Sequence, residues 1–173
     1  MSITITRPTK NVDIITDMTL MSQIVDAANS LHNLQQEATT GLTETELSAR
    51  KAEIQEAQEN LKKFIAQQDE KTITLTLRAL NASHWIMVVT KNTHTVEGKI
   101  VKDFPAMIAQ ALPIMLETAT WKATGETEDM GGPEEIKQFV DSLLDTQVMD
   151  LAETLQELNS PVTTLPKEIL NLI

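Results

Sequence analysis

The stretch Lys71–Asn92, KTITLTLRALNASHWIMVVTKN, constrains the fold of this chain more than any other. Ile73, Leu75 and Leu77 alternate with Thr72, Thr74 and Thr76, the pattern of a strand with one buried face. Asn81 stands where a helix N-cap belongs, and Trp85, Ile86 and Val89 are expected on one face of the helix that follows. One strand is not stable alone. Its partner is Ser2 to Thr6, where Ile3 and Ile5 also alternate, or a short piece near Thr120 to Thr124, or another subunit.

Upstream, a helical pattern is expected from about Val12. Met21, Ile24, Ala28 and Leu31 recur at steps of three and four, and Ile14, Met18 and Val25 widen the stripe. The pattern stops at Gly41, a residue suited to a left-handed helix terminus. Thr43 and Glu46 then form a capping-box pair. In the helix they open, Leu47, Ile54 and Leu61 repeat every seven residues, with Ala57 and Phe64 at complementary positions. Arg50 interrupts the seam, and Glu46–Arg50 and Glu59–Lys63 are spaced to pair across a turn. A seam this short is weak as a free-standing coiled coil. It predicts two helices folded back as an antiparallel hairpin, with further copies of the chain as possible additions to the seam.

Downstream, Thr93 to Gly98 reads as a loop. Asp103-Phe104-Pro105 opens a helix on which Phe104, Ile108 and Leu112 step by four, until Pro113 ends or kinks it. Trp121 precedes an acidic loop containing Glu126, Glu128 and Asp129. Gly132-Pro133-Glu134-Glu135 opens another helix, with carboxylates at the positive end of its dipole. Ile136, Phe139, Val140, Leu143 and Leu144 form its buried stripe. Asp145 is expected to cap a last long helix, with Val148, Leu151, Ala152 and Leu155 facing inward, and Asn159 and Pro161 stop it. The expected fold is therefore mainly α. An N-terminal arm and antiparallel helical hairpin (1–70) precede a small helical domain with one or two short β-strands (71–160) and an apolar tail (161–173). With no Tyr, 5 Gly and 6 Pro, the composition argues against an all-β sandwich or barrel.

The net charge of −11 is unevenly spread. From Ala123 onward there are 2 basic and 11 acidic residues. No basic stripe exists, which argues against nucleic acid and against an anionic membrane surface as partners. No segment reaches the ~20 apolar residues of a membrane span, and the first ten residues lack a signal-peptide core. The acidic half reads first as a solvated face and secondly as a surface for a basic partner.

Chemistry-bearing patterns are sparse. The chain has no cysteine, and its three histidines, His32, His84 and His94, do not have the spacing of a helical zinc pair. Nucleophile elbows, P-loops and dinucleotide fingerprints do not occur. The acidic loop lacks the alternating ligands of a calcium loop. No catalytic, cofactor-binding or metal-binding residues are assigned, no cofactor is expected, and the chain is expected not to be an enzyme. Candidate partner-binding residues are instead apolar: Leu47, Ile54, Leu61 and Phe64 on the hairpin seam, Trp85, and Ile169, Leu172 and Ile173 in the tail.

From about Thr72 to Ser160 the order of features resembles the tail assembly chaperones of tailed bacteriophages, especially those infecting actinobacteria. The matching pieces are the alternating strand ITLTLRAL, the aromatic-bearing helix ASHWIMVV, the helix DFPAMIAQAL, and the acidic loop leading to GPEEIKQFVDSLLDTQVMDLAETLQELN. In the family the middle segment reads like TFPPALIAA, and the end holds two short helices and an Asn. The resemblance covers about half the chain and includes no catalytic motif. It implies a protein that coats the helical tape measure protein in the cytoplasm of the infected host. Tail tube subunits would displace it as they polymerise. It also implies self-association, and many members have a longer frameshifted form. The alternative is a small phage structural or connector protein that stays in the virion.

Overall fold

Period-two alternation sets one side of the strand at Ile73, Leu75 and Leu77, and the fold seals that side, leaving exposures of 5%, 0% and 0%. The computed structural model describes residues 5–37 and 40–161. Its elements in chain order are β1 (Thr9–Ile15), α1 (Thr19–Gln36), α2 (Glu44–Glu70), β2 (Thr72–Arg78), α3 (Ala82–Lys91), β3 (Thr93–Val96), β4 (Lys99–Lys102), α4 (Phe104–Met115), β5 (Leu116–Trp121), α5 (Pro133–Asp141) and α6 (Asp145–Asn159).

The strand's partners lie within its own chain. β2 is the centre of a three-stranded sheet ordered β1-β2-β5. β1 runs antiparallel to it: Ala79 N–H donates to the Pro8 carbonyl at 3.0 Å, and Thr16 N–H donates to the Lys71 carbonyl at 2.7 Å. The threonines on the other side of β2 serve this pairing. Thr76 donates its hydroxyl to Asn11 at 3.0 Å, and Thr74 donates to Asp13 at 2.6 Å. On the β5 edge, Lys122 N–H donates to the Thr72 carbonyl at 2.9 Å, and Arg78 pairs with Glu117.

The mainly helical fold with one or two short strands is thus corrected. The chain is a mixed α/β fold with one three-stranded and one two-stranded sheet. Three segments account for the difference. The helical pattern expected from Val12 is strand as far as Ile15, with Ile14 buried and Asn11 and Asp13 turned to the polar side. Leu116–Trp121 is a strand that pairs with β2, and Ala119 is its one buried residue. The loop expected at Thr93–Gly98 is β3 and the turn of a hairpin, Thr93 facing Lys102 and Val96 facing Lys99. Pro113 does not end α4 at once. It sits in the last turn, and only two further helical residues follow before β5.

The β3–β4 turn is Glu97-Gly98, with φ of +50° and +78°. Two positive φ values in a two-residue connection match the twist of a hairpin and favour Asn-Gly. Glutamate fits the left-handed region poorly. Glu97→Asn should therefore stabilise the hairpin by about 1 kcal/mol. Slower amide hydrogen exchange across β3 and β4 would show it, and faster exchange would refute it.

The chain divides into two compact units, and each strand of the three-stranded sheet has residues in both. The first unit takes residues 5–12, Leu75–Ala119 and 128–161. Its centre is α4, where Met107, Ile108, Ala111, Leu112 and Met115 are all buried. Against α4 pack α3, α5 and α6, which contribute Val88, Ile136, Val140, Val148, Leu151, Leu155 and Leu158. On α3 the buried face runs through Val88, with Trp85 and Val89 half-buried. Ile86, expected beside Trp85, lies about 100° further round the helix and is 63% exposed.

The second unit takes residues 13–37, 40–74 and Thr120–Thr127. It contains the expected hairpin, α1 against α2. Among the described residues of this unit, those fully buried are Ile14, Thr72 and Ile73, and all belong to strands. Residues 1–4, 38–39 and 162–173 lie outside the described residues, so the strand expected at Ser2–Thr6 and the apolar tail are not described.

Candidate interaction surface

An amphipathic helix must bury its apolar stripe against another element. In the hairpin that requirement is only half met. The α1 residues Met21, Ile24, Ala27, Ala28, Leu31 and Leu34 are half-buried and recur at helical spacing along one side. So are Leu47, Arg50, Ile54, Ala57, Leu61 and Phe64 on α2. No described residue of α1 or α2 is fully buried, although the helices run to 18 and 27 residues. Two helices alone make one layer of contact and leave the flanks of both stripes open to a third.

The hairpin is nevertheless well defined at its ends. The Thr43–Glu46 capping box forms as the sequence predicts. Thr43 N–H donates to Glu46 at 2.7 Å and Glu46 N–H donates to the Thr43 hydroxyl at 3.3 Å. The Thr43 backbone and hydroxyl hold the Glu46 carboxyl below the ordinary carboxylate range. With Glu46 so engaged, Arg50 pairs with Glu37 at the end of α1 and with Glu53 at 3.7 Å. Glu59 accepts from Gln55 at 3.3 Å, and the described ion pairs do not include one to Lys63.

At the other end of the hairpin, Lys122 reaches Asp13 at 3.0 Å and Asp69 at 3.2 Å. Slight burial pushes the Asp13 carboxyl up, but hydrogen bonds from Thr74 and Lys122 outweigh it and hold it below its ordinary value. Hydrogen bonds to Asp13 and then Asp69 raise Lys122. These groups are largely exposed, so the cluster fixes geometry more than it adds stability.

One flank of the hairpin holds a groove of about 470 Å³ lined by Gln23, Asp26, Ala27, Ser30, Ala57, Asn60 and Phe64. Ala27, Ser30 and Ala57 are small and let a third backbone approach, while Phe64 supplies apolar area. Gln23, Ser30 and Asn60 are uncharged donors and acceptors. The outer side of α1 carries one charge, Asp26, in the whole of Thr19–Gln36. Such a surface offers apolar and amide contact.

Of the expected partner-binding residues, Leu47, Ile54, Leu61 and Phe64 share the half-buried α2 seam. Phe64 lines this groove, and Ile54 lines a second, smaller one of about 380 Å³ with Lys51, Gln55, Gln58, Glu59 and Lys62. Trp85 is half-buried on α3, in the other unit. Ile169, Leu172 and Ile173 lie outside the described residues. Sequence reasoning passed over Ala27, Ser30 and Asn60. Their signal was the run of small and amide residues beside an apolar stripe, which reads as ordinary surface.

A cleft of about 580 Å³ in the first unit is lined by Ile5, Pro8, Leu80, Leu158 and Pro161, among others. Its two asparagines are committed to the fold. Asn81 caps α3 by accepting from His84 N–H at 2.9 Å, and Asn159 accepts from Leu80 N–H at 2.6 Å. His32, His84 and His94 are exposed. Among the described residues there is no cluster of three or more His, Asp or Glu placed to hold a metal ion, and no helix long and apolar enough to cross a membrane. Comparison with known proteins found no matching family model, no matching curated protein and no matching solved structure.

Proposed function

We propose that this protein is a non-enzymatic assembly chaperone that holds helical segments of a client on the open α1–α2 hairpin. The observation that carries the reading is the hairpin without a fully buried side chain. A helix laid into the groove between Ala27, Ser30, Ala57 and Phe64 would complete a three-helix layer and bury stripes that the two helices leave half-exposed. Repeated weak contacts along one long helical client would add up through avidity.

The client's identity rests on the resemblance of residues 72–160 to tail assembly chaperones. It is the phage tape measure protein, protected in the host cytoplasm until tail tube subunits take over. Co-expression tests this reading. Tape measure fragments should stay soluble and co-purify with the full chain. Ser30→Arg combined with Asn60→Arg, both exposed groove positions, should cut retention by roughly tenfold while helicity is unchanged. Fragments that precipitate regardless of this protein, or a double variant that retains them fully, would refute the proposal. So would finding the chain in stoichiometric amounts in purified virions.

A further inference from the structure

The first unit carries two exposed patches of opposite character, and neither is used by the hairpin groove. One is the β3–β4 ribbon. From Thr93 to Lys102 it holds two lysines, Lys99 and Lys102, against one glutamate, Glu97, in a chain of net charge −11. It is apolar as well: Val96, Ile100 and Val101 are 54%, 77% and 46% exposed. Its register places Val101 opposite His94 and Ile100 opposite Thr95, so each face of the ribbon mixes apolar and basic side chains. A two-stranded ribbon exposing this much on both faces gains little from its own chain.

The second patch is a groove of about 510 Å³ along the outer side of α6. Phe104, Met149 and Ala152 give it an apolar lining, and Asp150 and Glu153 give it an acidic one. A third acid, Glu157, is already held by Lys10 at 2.6 Å. The described ion pairs do not include Lys99, Lys102, Asp150 or Glu153. The ribbon is therefore basic and apolar where the groove is acidic and apolar. The two are also neighbours: Phe104, which lines the groove, follows β4 by two residues.

From this complementarity we infer that the β3–β4 ribbon of one copy seats in the α6 groove of a second copy, forming a two-fold symmetric dimer. The ribbon enters by the free edge of β4, so that side chains from both of its faces reach the groove: Ile100 and Val101 meet Met149 and Phe104, while Lys99 and Lys102 meet Asp150 and Glu153. Adjacent complementary patches allow a closed arrangement, in which the ribbon–groove contact forms twice about the axis. A charged contact of this kind gives specificity and responds to salt. The inference stands independently of the chaperone reading, which concerns the other unit.

Sedimentation equilibrium of the purified full chain tests it, over a range of protein and salt concentrations. The wild type should show twice the chain mass of 19.2 kDa and should dissociate more readily as salt rises. Lys99→Glu with Lys102→Glu, and separately Asp150→Lys with Glu153→Lys, should each weaken association by at least roughly tenfold. All four positions are exposed, so the circular dichroism of each variant should match the wild type. Mixing the two variants should restore the dimer, since both contacts of the mixed pair are again between opposite charges. The inference is overturned by a monomeric wild type, by association that survives either charge reversal, or by a mixture that stays monomeric. Growth beyond a dimer with concentration would overturn the two-fold arrangement.

Discussion

Leu75→Ala should lower the unfolding free energy of this protein by about 2–5 kcal/mol, whereas Ile54→Ala should cost less than about 1.5 kcal/mol. Both changes remove an aliphatic side chain from the middle of a regular element. The surroundings differ. Leu75 is 0% exposed in the central strand β2 and is flanked along its face by Ile73 and Leu77. Truncation there leaves a cavity that the packed surroundings cannot close, so the lost transfer energy is joined by a cavity penalty. Ile54 is half-buried on a hairpin with no fully buried residue. Water or a neighbouring side chain fills the space, and part of the Ile54 surface was never removed from solvent. Urea midpoints, read with one probe in each variant, give the comparison directly. An Ile54→Ala cost as large as that of Leu75→Ala would mean that the seam is sealed in solution. The open-hairpin account would then fail.

The same contrast shows what was legible in the sequence. Strong periodicities survived. Ile73, Leu75 and Leu77 are the buried side of β2, and the Thr43–Glu46 capping box forms; the α5 stripe is buried at Ile136 and Val140, but Leu144, expected on it, lies past the helix end and is 50% exposed. Each depends on local chemistry over one or two turns. The short strands were lost because their signals are shared with other structures. In NVDII, Val12 and Ile14 alternate, but Ile15 and Met18 continue a helical spacing, and only pairing with β2 sixty residues away decides between the two. LETATW has one buried residue, Ala119, which is too small to mark a face. THTVEGKIVK is an alternating hairpin hidden behind a Glu-Gly turn, where Asn-Gly would have announced it.

The interaction surface was half legible for a related reason. The α2 seam is visible as a heptad, so Leu47, Ile54, Leu61 and Phe64 could be named. The groove beside it is defined by the absence of bulk at Ala27, Ser30 and Ala57, and small residues leave no periodic mark. A basic ribbon and an acidic groove are likewise invisible to a charge count. Lys99 and Lys102 are two of fourteen basic residues, and their placement beside Ile100 and opposite Asp150 and Glu153 in character emerges only from exposure.

Asn159→Ala should destabilise the protein by about 2–3 kcal/mol, the second large effect and one that apolar burial does not explain. The Asn159 side chain joins three parts of the first unit. Its Oδ1 accepts from the Leu80 N–H at 2.6 Å, and its Nδ2 donates to the Leu155 carbonyl at 2.7 Å and approaches the Met115 sulfur at 3.6 Å. Leu80, Leu155 and Met115 are 6%, 2% and 0% exposed, so the groups that the amide joins are packed, although Asn159 itself is half-buried at the wall of the cleft. Alanine would leave the Leu80 N–H unpaired just before Asn81 caps α3, and an unpaired buried donor costs its full desolvation. Asn159→Asp separates the hydrogen bonds from packing. Its shape is the same and it still accepts from Leu80, but at neutral pH an acceptor would face the Leu155 carbonyl. The aspartate should therefore be at least as costly as alanine at pH 7. Its folded-state pKa would lie above the unfolded value of about 3.9, because burial and the carbonyl both disfavour its charged form. The penalty is then present above that folded pKa and shrinks, relative to wild type at each pH, as pH falls toward about 4 and the protonated carboxyl donates again. Urea denaturation of the three proteins at pH 7 and near pH 4 measures this. An aspartate variant as stable as wild type at pH 7 would show that the donor to Leu155 contributes nothing, leaving the Leu80 bond as the whole of the Asn159 effect.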